Sequence, residues 1–375
     1  MRRVIILAVT VGMCFIGLAM AGRALANLSA QEMPLSGNGA AIEIHTDAQS
    51  NLWISDFLTG EIWEVNAAGN AYTNYTVGGF PADAQSDGQG AVWWVDGTSL
   101  GRLNLADNTI QTWSVSTSIY LWGLGFDSAG KIWLTDSGIA NVYRYTPSSR
   151  ETCTYPLPLG SAVIYYPFVI GTQLWLADNS NGQLLRLDFS GTPQWTTWQL
   201  PNHSTPFGLT QDTSGDIWFT DDGLAQLGRL TPTSNQVTLY PLPAGASPFM
   251  LVASAGKIWY TEQILGTIGS LDPSQNSAIP AVITPSTASA SSSCTTLDLP
   301  ATASAGVSTG VPTWANTSYS IIAKENGWEV YQLPTISQPN GIVMSNGKGY
   351  VPDSLRHKLI RFTPQRNIYL PVVLR

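Results

Sequence analysis

A short motif ending in a carboxylate recurs along the chain at a nearly constant spacing. It reads LWISD around Trp53, VWWVD at Trp93, IWLTD at Trp133, LWLAD at Trp175, IWFTD at Trp218 and IWYTE at Trp259, with a degenerate copy, GYVPD, at Tyr350. The intervals are 40, 40, 42, 43, 41 and 91 residues. Around the clearest copy, Ser204 to Pro243, four short runs (FGLTQ, DIWFT, QLGRLTP and VTLYPLP) are separated by Gly, Pro, Asn and Asp, the residues that turns require. Helical repeats of similar length need apolar residues at a period of 3.6, which these runs lack. A period near 40 with four strands per unit predicts an all-β chain, a seven-bladed β-propeller of four-stranded antiparallel blades.

The ends and one interruption complete this plan. Met1, Arg2 and Arg3 precede an apolar run from Val4 to Ala21, and Ala24-Leu25-Ala26 supplies a small-x-small site, so residues 1–26 read as a secretory signal peptide. Residues 27–375 then form a single propeller domain, secreted or displayed at the cell surface, with no membrane span after cleavage. The segment ending Met33-Pro34-Leu35 resembles the outer strands of later repeats and is placed to complete the last blade. The tail from Asn367 competes for that place. The 91-residue interval holds one extra stretch, about 274–325, between the third and fourth strands of blade 6. Its Ser, Thr, Ala and Pro content predicts a flexible loop or flap.

Charge excludes one class of partner. Charged residues make up 11% of the chain, against about a quarter in an ordinary domain. Cleavage would leave 14 basic against 25 acidic residues, a net charge of −11. So few Lys and Arg cannot neutralise a phosphate backbone, so nucleic acid is not expected as a partner. Cys153 and Cys294 lie in the third and sixth repeats, which are not ring neighbours. Free thiols are expected unless the insertion carries Cys294 elsewhere.

Two sets of residues converge on one mouth of the central channel, because in an antiparallel blade the start of the first strand meets the end of the second. One set is the carboxylates Asp56, Asp96, Asp136, Asp178, Asp221, Glu262 and Asp353. Repetition in every unit is what a turn-capping role produces, and Glu262 departs from it by one methylene. The other set is Ala82, Trp122, Tyr165 with Tyr166, Phe207, Phe249 and Asn340, with Tyr120 near Trp122. Aromatic faces beside carboxylates suit a neutral sugar or a cationic organic ligand; they equally suit a plug that closes a narrow channel. The periodic Trp residues of the second strands are expected to pack between units.

The repeat, PxGI, then G-x-I-W-F-T-D/E, then I-G-R-I/L, then Y-x-L-P, resembles the streptogramin B lyase family of seven-bladed propellers over residues 37 to 364 apart from the insertion. That resemblance implies a magnesium-assisted elimination opening a cyclic depsipeptide ester, with a Pro-His pair in blade 6, a Glu ending that blade's second strand, and a second Pro-His in blade 7. Glu262 matches the Glu. Phe249 after Pro248 and Asn340 after Pro339 occupy the His positions, and neither is a general base near neutral pH. Of the three histidines, His45, His203 and His357, only His357 is expected near the mouth, outside the matching context. The expectation is a binding propeller whose partner is a small molecule, glycan or protein at the mouth. The ligand would contact Trp122, Tyr166, Phe207, Phe249, Glu262 and Asn340. The alternative is an enzyme, a metal-dependent lyase or a lactone or ester hydrolase, with Glu262 and His357 catalytic. Its ion would be Mg or Ca, with Asn340 and Asp353 beside Glu262 in a calcium-type site.

Overall fold

The computed structural model describes residues 28–364 except Ser36, 118–120, Asn202, Ala244, Ser277, Asn326 and 335–336. The signal-peptide span, Tyr120 and the tail from 365 lie outside the described residues. The fold is all-β, with five five-stranded sheets that resemble propeller blades and one nine-stranded sheet. The first sheet shows the plan: Ala41–Thr46, Leu52–Asp56, Glu61–Val65 and Tyr72–Thr76 pair in chain order as an antiparallel meander. The second to fifth sheets repeat it, and neighbouring sheets pack against one another through their inner strands.

The second strands are buried on both faces, every residue of LWISD and IWFTD being buried, as a strand between two neighbouring sheets requires. Their Trp residues are 0–2% exposed. In four of them the indole N–H reaches back six residues to the Asp of the preceding turn: Trp53 to Asp47 (3.1 Å), Trp93 to Asp87 (3.2 Å), Trp133 to Asp127 (3.3 Å) and Trp218 to Asp212 (2.7 Å). Trp175 donates to Gln173 instead (3.2 Å). In the second to fifth sheets an Arg directly across the ladder covers the ring, with Arg144 5.2 Å from the Trp133 centroid and Arg229 5.5 Å from that of Trp218. The expected packing role of these Trp residues is what the structure contains. The Gly in the middle of the third strand has an equally local cause. A Cβ on Gly228 or Gly269 would lie 2.0 Å from the ring of Phe219 or Tyr260, the residue paired with it.

Two expectations are corrected. The blades are not left at four strands, and the insertion is not a flexible loop. It emerges between Thr267–Leu271 and Trp328–Gln332, as expected, and then runs backwards around the outside of the sheets. Ile279–Val282 pairs with the fifth sheet, Ser286–Ser289 with the fourth, Ser293–Thr296 with the third, Ala301–Ser304 with the second and Gly306–Gly310 with the first. Ala315–Glu325 ends this belt inside the nine-stranded sheet. An outer strand exposes unpaired N–H and C=O groups, and main-chain pairing satisfies them whatever the side chains. A Ser/Thr-rich segment too polar for a core therefore serves well.

Where the belt steps between sheets, one apolar residue turns inward. Ile283, Ala290, Leu297 and Ala305 each pack on a core cluster. Each also donates its amide, respectively to the carbonyls of Asn235 (3.3 Å), Pro193 (2.9 Å), Arg150 (2.9 Å) and Asn108 (2.9 Å). Cys153 and Cys294 face each other across the third sheet's outer ladder and form a disulfide, with Cα atoms 4.0 Å apart. The free-thiol expectation is thus also corrected. The belt brings Cys294 past the fifth and fourth sheets to a partner that the repeats alone keep distant.

The strand Leu28–Pro34 lies between Ala315–Glu325 and Lys358–Phe362, so the N-terminal segment takes the expected place beside the last repeat's third strand. Glu32, on this strand, accepts from Arg356, from Lys358 (2.6 Å) and from the Tyr319 hydroxyl (2.9 Å). Burial opposes its charge, but these donors outweigh burial and hold its carboxyl down at about 2. Among the described residues no helix is long and apolar enough to cross a membrane.

Candidate ligand site at the channel mouth

The pairing register brings the two expected sets together. Ala41 lies opposite Asp56, Leu121 opposite Asp136, Pro206 opposite Asp221, Pro248 opposite Glu262 and Pro339 opposite Asp353. The carboxylates turn into the protein. Asp56 accepts from the Ala40 amide (2.8 Å), Asp221 from that of Thr205 (2.9 Å) and Asp353 from that of Gln338 (2.9 Å), and all three are 0% exposed. They fasten the loop entering each unit, as Asp does in turns. Glu262 is 1% exposed and accepts from the Thr267 hydroxyl at 2.7 Å. Burial pushes its carboxyl up, with that hydrogen bond partly offsetting the rise. Glu262→Gln, which keeps an acceptor for Thr267, is therefore expected to cost no more than about 1 kcal/mol of stability by urea denaturation. A larger loss would mean that the ionised form is needed.

A hydroxyl one residue before the carboxylate locks neighbouring units. Thr220 accepts from the Gly208 amide (2.8 Å) and donates to the Phe249 carbonyl (2.7 Å). Thr261 accepts from Met250 (3.3 Å) and donates to Asn340 (2.6 Å), and Thr135 likewise links Gly123 to Tyr165. The register slips at the same places, between Leu121 and Gly123, Pro206 and Leu209, and Pro248 and Leu251. Such bulges re-aim a side chain, and those concerned are Trp122, Phe207 and Phe249.

The result is a continuous, partly exposed arc of rings. Centroid separations are 6.1 Å from Phe57 to Trp122, 5.8 Å on to Tyr165, 4.7 Å to Phe207 and 4.3 Å to Phe249, while Phe80 lies 5.5 Å beyond Phe57. Tyr166 stands 5.9 Å from Phe207 and accepts from the Trp122 indole at 3.1 Å. Of the residues singled out from sequence, Trp122, Tyr166, Phe207 and Phe249 come together. Phe57 and Phe80 were missed; the signal for Phe57 was its place directly after Asp56, where the other repeats carry no aromatic ring.

Asn340 and His357 are otherwise engaged. Asn340, 3% exposed, donates to the Ala41 carbonyl (3.3 Å) and accepts from Gln263. His357 pairs through Nδ1 with the Gly37 carbonyl (2.9 Å) and through Nε2 with Asp56 (2.5 Å), tying the last repeat to the first. Burial opposes the imidazolium, but Asp56 outweighs it and raises His357 above its usual range. Sequence reasoning also passed over Glu43, His45 and Asp83, which lie on the innermost strands of the first two sheets. His45 Nε2 meets Asp83 at 2.8 Å, and Asp83 also accepts from the Leu124 amide at 2.9 Å.

A divalent ion finds a poor donor set at this mouth. Glu262 offers one buried carboxyl already engaged by Thr267, Phe249 offers no ligand atom, and the Asn340 oxygen faces Gln263. Among the described residues, the one group of three His, Cys, Asp or Glu donors within mutual reach is Glu151, Cys153 and Cys294, whose sulfurs are joined to each other and offer no thiolate. A cavity of about 470 Å³ shares no lining residue with the arc; it lies under the belt beside Trp113 and belongs to the step between the third and second sheets.

A family model described as the virginiamycin B lyase family matches residues 28–291. Among solved structures, a catalytically inactive virginiamycin B lyase from Staphylococcus aureus, with quinupristin, is similar over 90% of this chain and 99% of its own, at 18% identity and a TM-score of 0.69. A streptogramin B lyase structure is similar over 91% of this chain and 99% of its own, at 17% identity and a TM-score of 0.67. At these identities the likeness is one of fold. No match was found among curated proteins.

Proposed function

Because the chain belongs to the virginiamycin B lyase family, we propose that it is an exported ring of seven four-stranded units, braced by its belt, that binds a ring-bearing small molecule at the channel mouth and lacks the family's elimination chemistry. In this reading the nine-stranded sheet is two units joined edge to edge through the belt's last strand and the N-terminal strand. The observation that carries the reading is the aromatic arc from Phe57 to Phe249, aimed by bulges and left partly exposed where a core would have buried it. The disulfide suits an oxidising compartment outside the cytosol. The residues at the positions of the family's two histidines, Phe249 and Asn340, cannot transfer a proton, a loss that costs about 10² to 10⁴ in rate.

The test is a neutral probe with two rings, 4-nitrophenyl β-glucoside, titrated while tryptophan emission is followed. Quenching is expected in the native chain and is expected to weaken at least tenfold in Trp122→Ala and in Phe207→Ala, since stacking on an aromatic face contributes about 1 to 3 kcal/mol. Absence of binding, or binding indifferent to both substitutions, would remove the arc as a platform. Cleavage of a cyclic depsipeptide that requires added magnesium and disappears in Glu262→Gln would instead establish the alternative, a metal-dependent enzyme centred on Glu262.

A further inference from the structure

Below the arc, the channel wall carries a carboxyl with no turn to cap. Glu43 lies in the first strand of the first sheet, is 2% exposed, and leaves Oε2 without a hydrogen-bond partner. The Tyr166 hydroxyl and the Ile44 amide lie beside its carboxyl. Room for it depends on Gly341, where a Cβ would lie 2.8 Å from Oε1. A carboxyl buried with an unpaired oxygen is costly, and packing does not require it there.

The groups facing Glu43 are few. His45 comes from the same strand, Asp83 from the second sheet, Tyr166 from the fourth, and the uncharged Asn340-Gly341 from the nine-stranded sheet. His45 is paired with Asp83 at 2.8 Å and only partly offsets the charge of Glu43, which has no ion-pair partner of its own among the described residues. The same Tyr166 that touches Glu43 accepts from Trp122, so the carboxyl sits at the foot of the arc.

We propose that this is a site for an organic ammonium ion, whose cationic head is received on the faces of Trp122, Tyr165, Tyr166 and Phe207 while Glu43 supplies the opposing charge. Aromatic faces attract such ions through their quadrupole, and most strongly where water is excluded. The inference rests on the arc being a ligand platform and narrows the ligand from any ring-bearing molecule to a cation.

Binding is then coupled to a proton. Burial pushes the Glu43 carboxyl up to about 8, so near neutrality it is mostly protonated and must release its proton when a cation arrives. Affinity should rise about tenfold per pH unit below about 8 and level off above it. Burial opposes the charge of His45, but Asp83 outweighs that effect and raises its titration range. Its deprotonation leaves Asp83 negative, which favours the cation in the same direction.

Choline, permanently charged, and 3,3-dimethylbutan-1-ol, its uncharged isostere, provide the test, by calorimetry on the full chain at pH 6.5 to 9.5 in buffers of different ionisation heat. Choline is expected to bind about tenfold tighter than the alcohol at pH 8.5, with proton release at pH 6.5. Glu43→Gln is expected to remove that preference and flatten the pH profile. Should that variant fold poorly, the proton count of the native chain decides the matter. Equal affinity for the two probes, an unchanged pH profile in Glu43→Gln, binding without proton release, or no choline binding would each overturn the inference. If the aryl glucoside binds and choline does not, the platform stands and only this inference falls. If neither binds, both fall.

Discussion

Replacing Cys153 and Cys294 together by serine should lower stability by several kcal/mol and convert the belt into the first site of proteolysis. The bridge joins residues 141 positions apart, and the loop-closure entropy of so long a loop bounds its contribution at about 5 kcal/mol. The belt has little else to hold it. Ser286–Ser289, Ser293–Thr296 and Ala301–Ser304 are exposed at every position, so only ladder bonds and the inward apolar residues remain. Segments with few buried contacts open locally at low free energy. Urea midpoints for the native and double-serine chains, with limited proteolysis mapped between residues 283 and 310, measure both effects. Equal midpoints and equal protease resistance would mean that strand pairing alone holds the belt.

The second large effect lies at the joint between the N-terminal strand and the last repeat. Glu32→Ala leaves Arg356 with only the longer contact to Asp353 (3.5 Å), and Lys358 facing an uncharged, largely buried gap. Breaking a buried pair in this way costs about 3 to 5 kcal/mol, less here because the Lys358 side chain keeps 32% of its exposure. The pH dependence carries a definite sign. The folded-state carboxyl, at about 2, lies below its ordinary 4.5, so its contribution is fully present above about 4.5 and is lost as pH falls toward 2. Thermal midpoints of native protein and Glu32→Gln should differ at pH 7 and converge near pH 2. A difference that stays constant across this range would show that the ionised pair contributes nothing.

Much of the fold was legible because its signals are local. The Trp that reaches an Asp six residues back, the Gly that receives the ring paired with it, and the carboxylate that caps its own loop all lie within about twenty residues of their partners. The same locality located the mouth, since a two-strand hairpin brings Pro206 to Asp221 and Pro248 to Glu262. Trp122, Phe207 and Phe249 could therefore be singled out before any tertiary structure was known. What sequence could not show was their mutual contact, which depends on the Thr135, Thr220 and Thr261 hydroxyls holding adjacent sheets in register.

The belt escaped notice for a different reason. Its composition lacks the apolar groups of a core, and composition is blind to main-chain pairing against an existing edge. A trace was present in Ile283, Ala290, Leu297 and Ala305, single apolar residues seven, seven and eight apart in a polar segment. Each interval matches one step from sheet to sheet. Glu43 escaped because a lone acid in an apolar strand resembles a surface position until the opposite wall of a channel is present.

Sequence by itself determined the repeat, the strand order within each unit, the turn-capping carboxylates and the family resemblance, because hydrophobic alternation and turn chemistry act between near neighbours. Only the tertiary structure decided that Cys294 meets Cys153, that the polar insertion becomes the outer strand of five sheets, and that Glu43, Tyr166 and Trp122 share one corner of the channel. These contacts join residues from 40 (Leu239 and Ile279) to 238 (Tyr72 and Gly310) positions apart, and the packing of neighbouring sheets is what sets their distances.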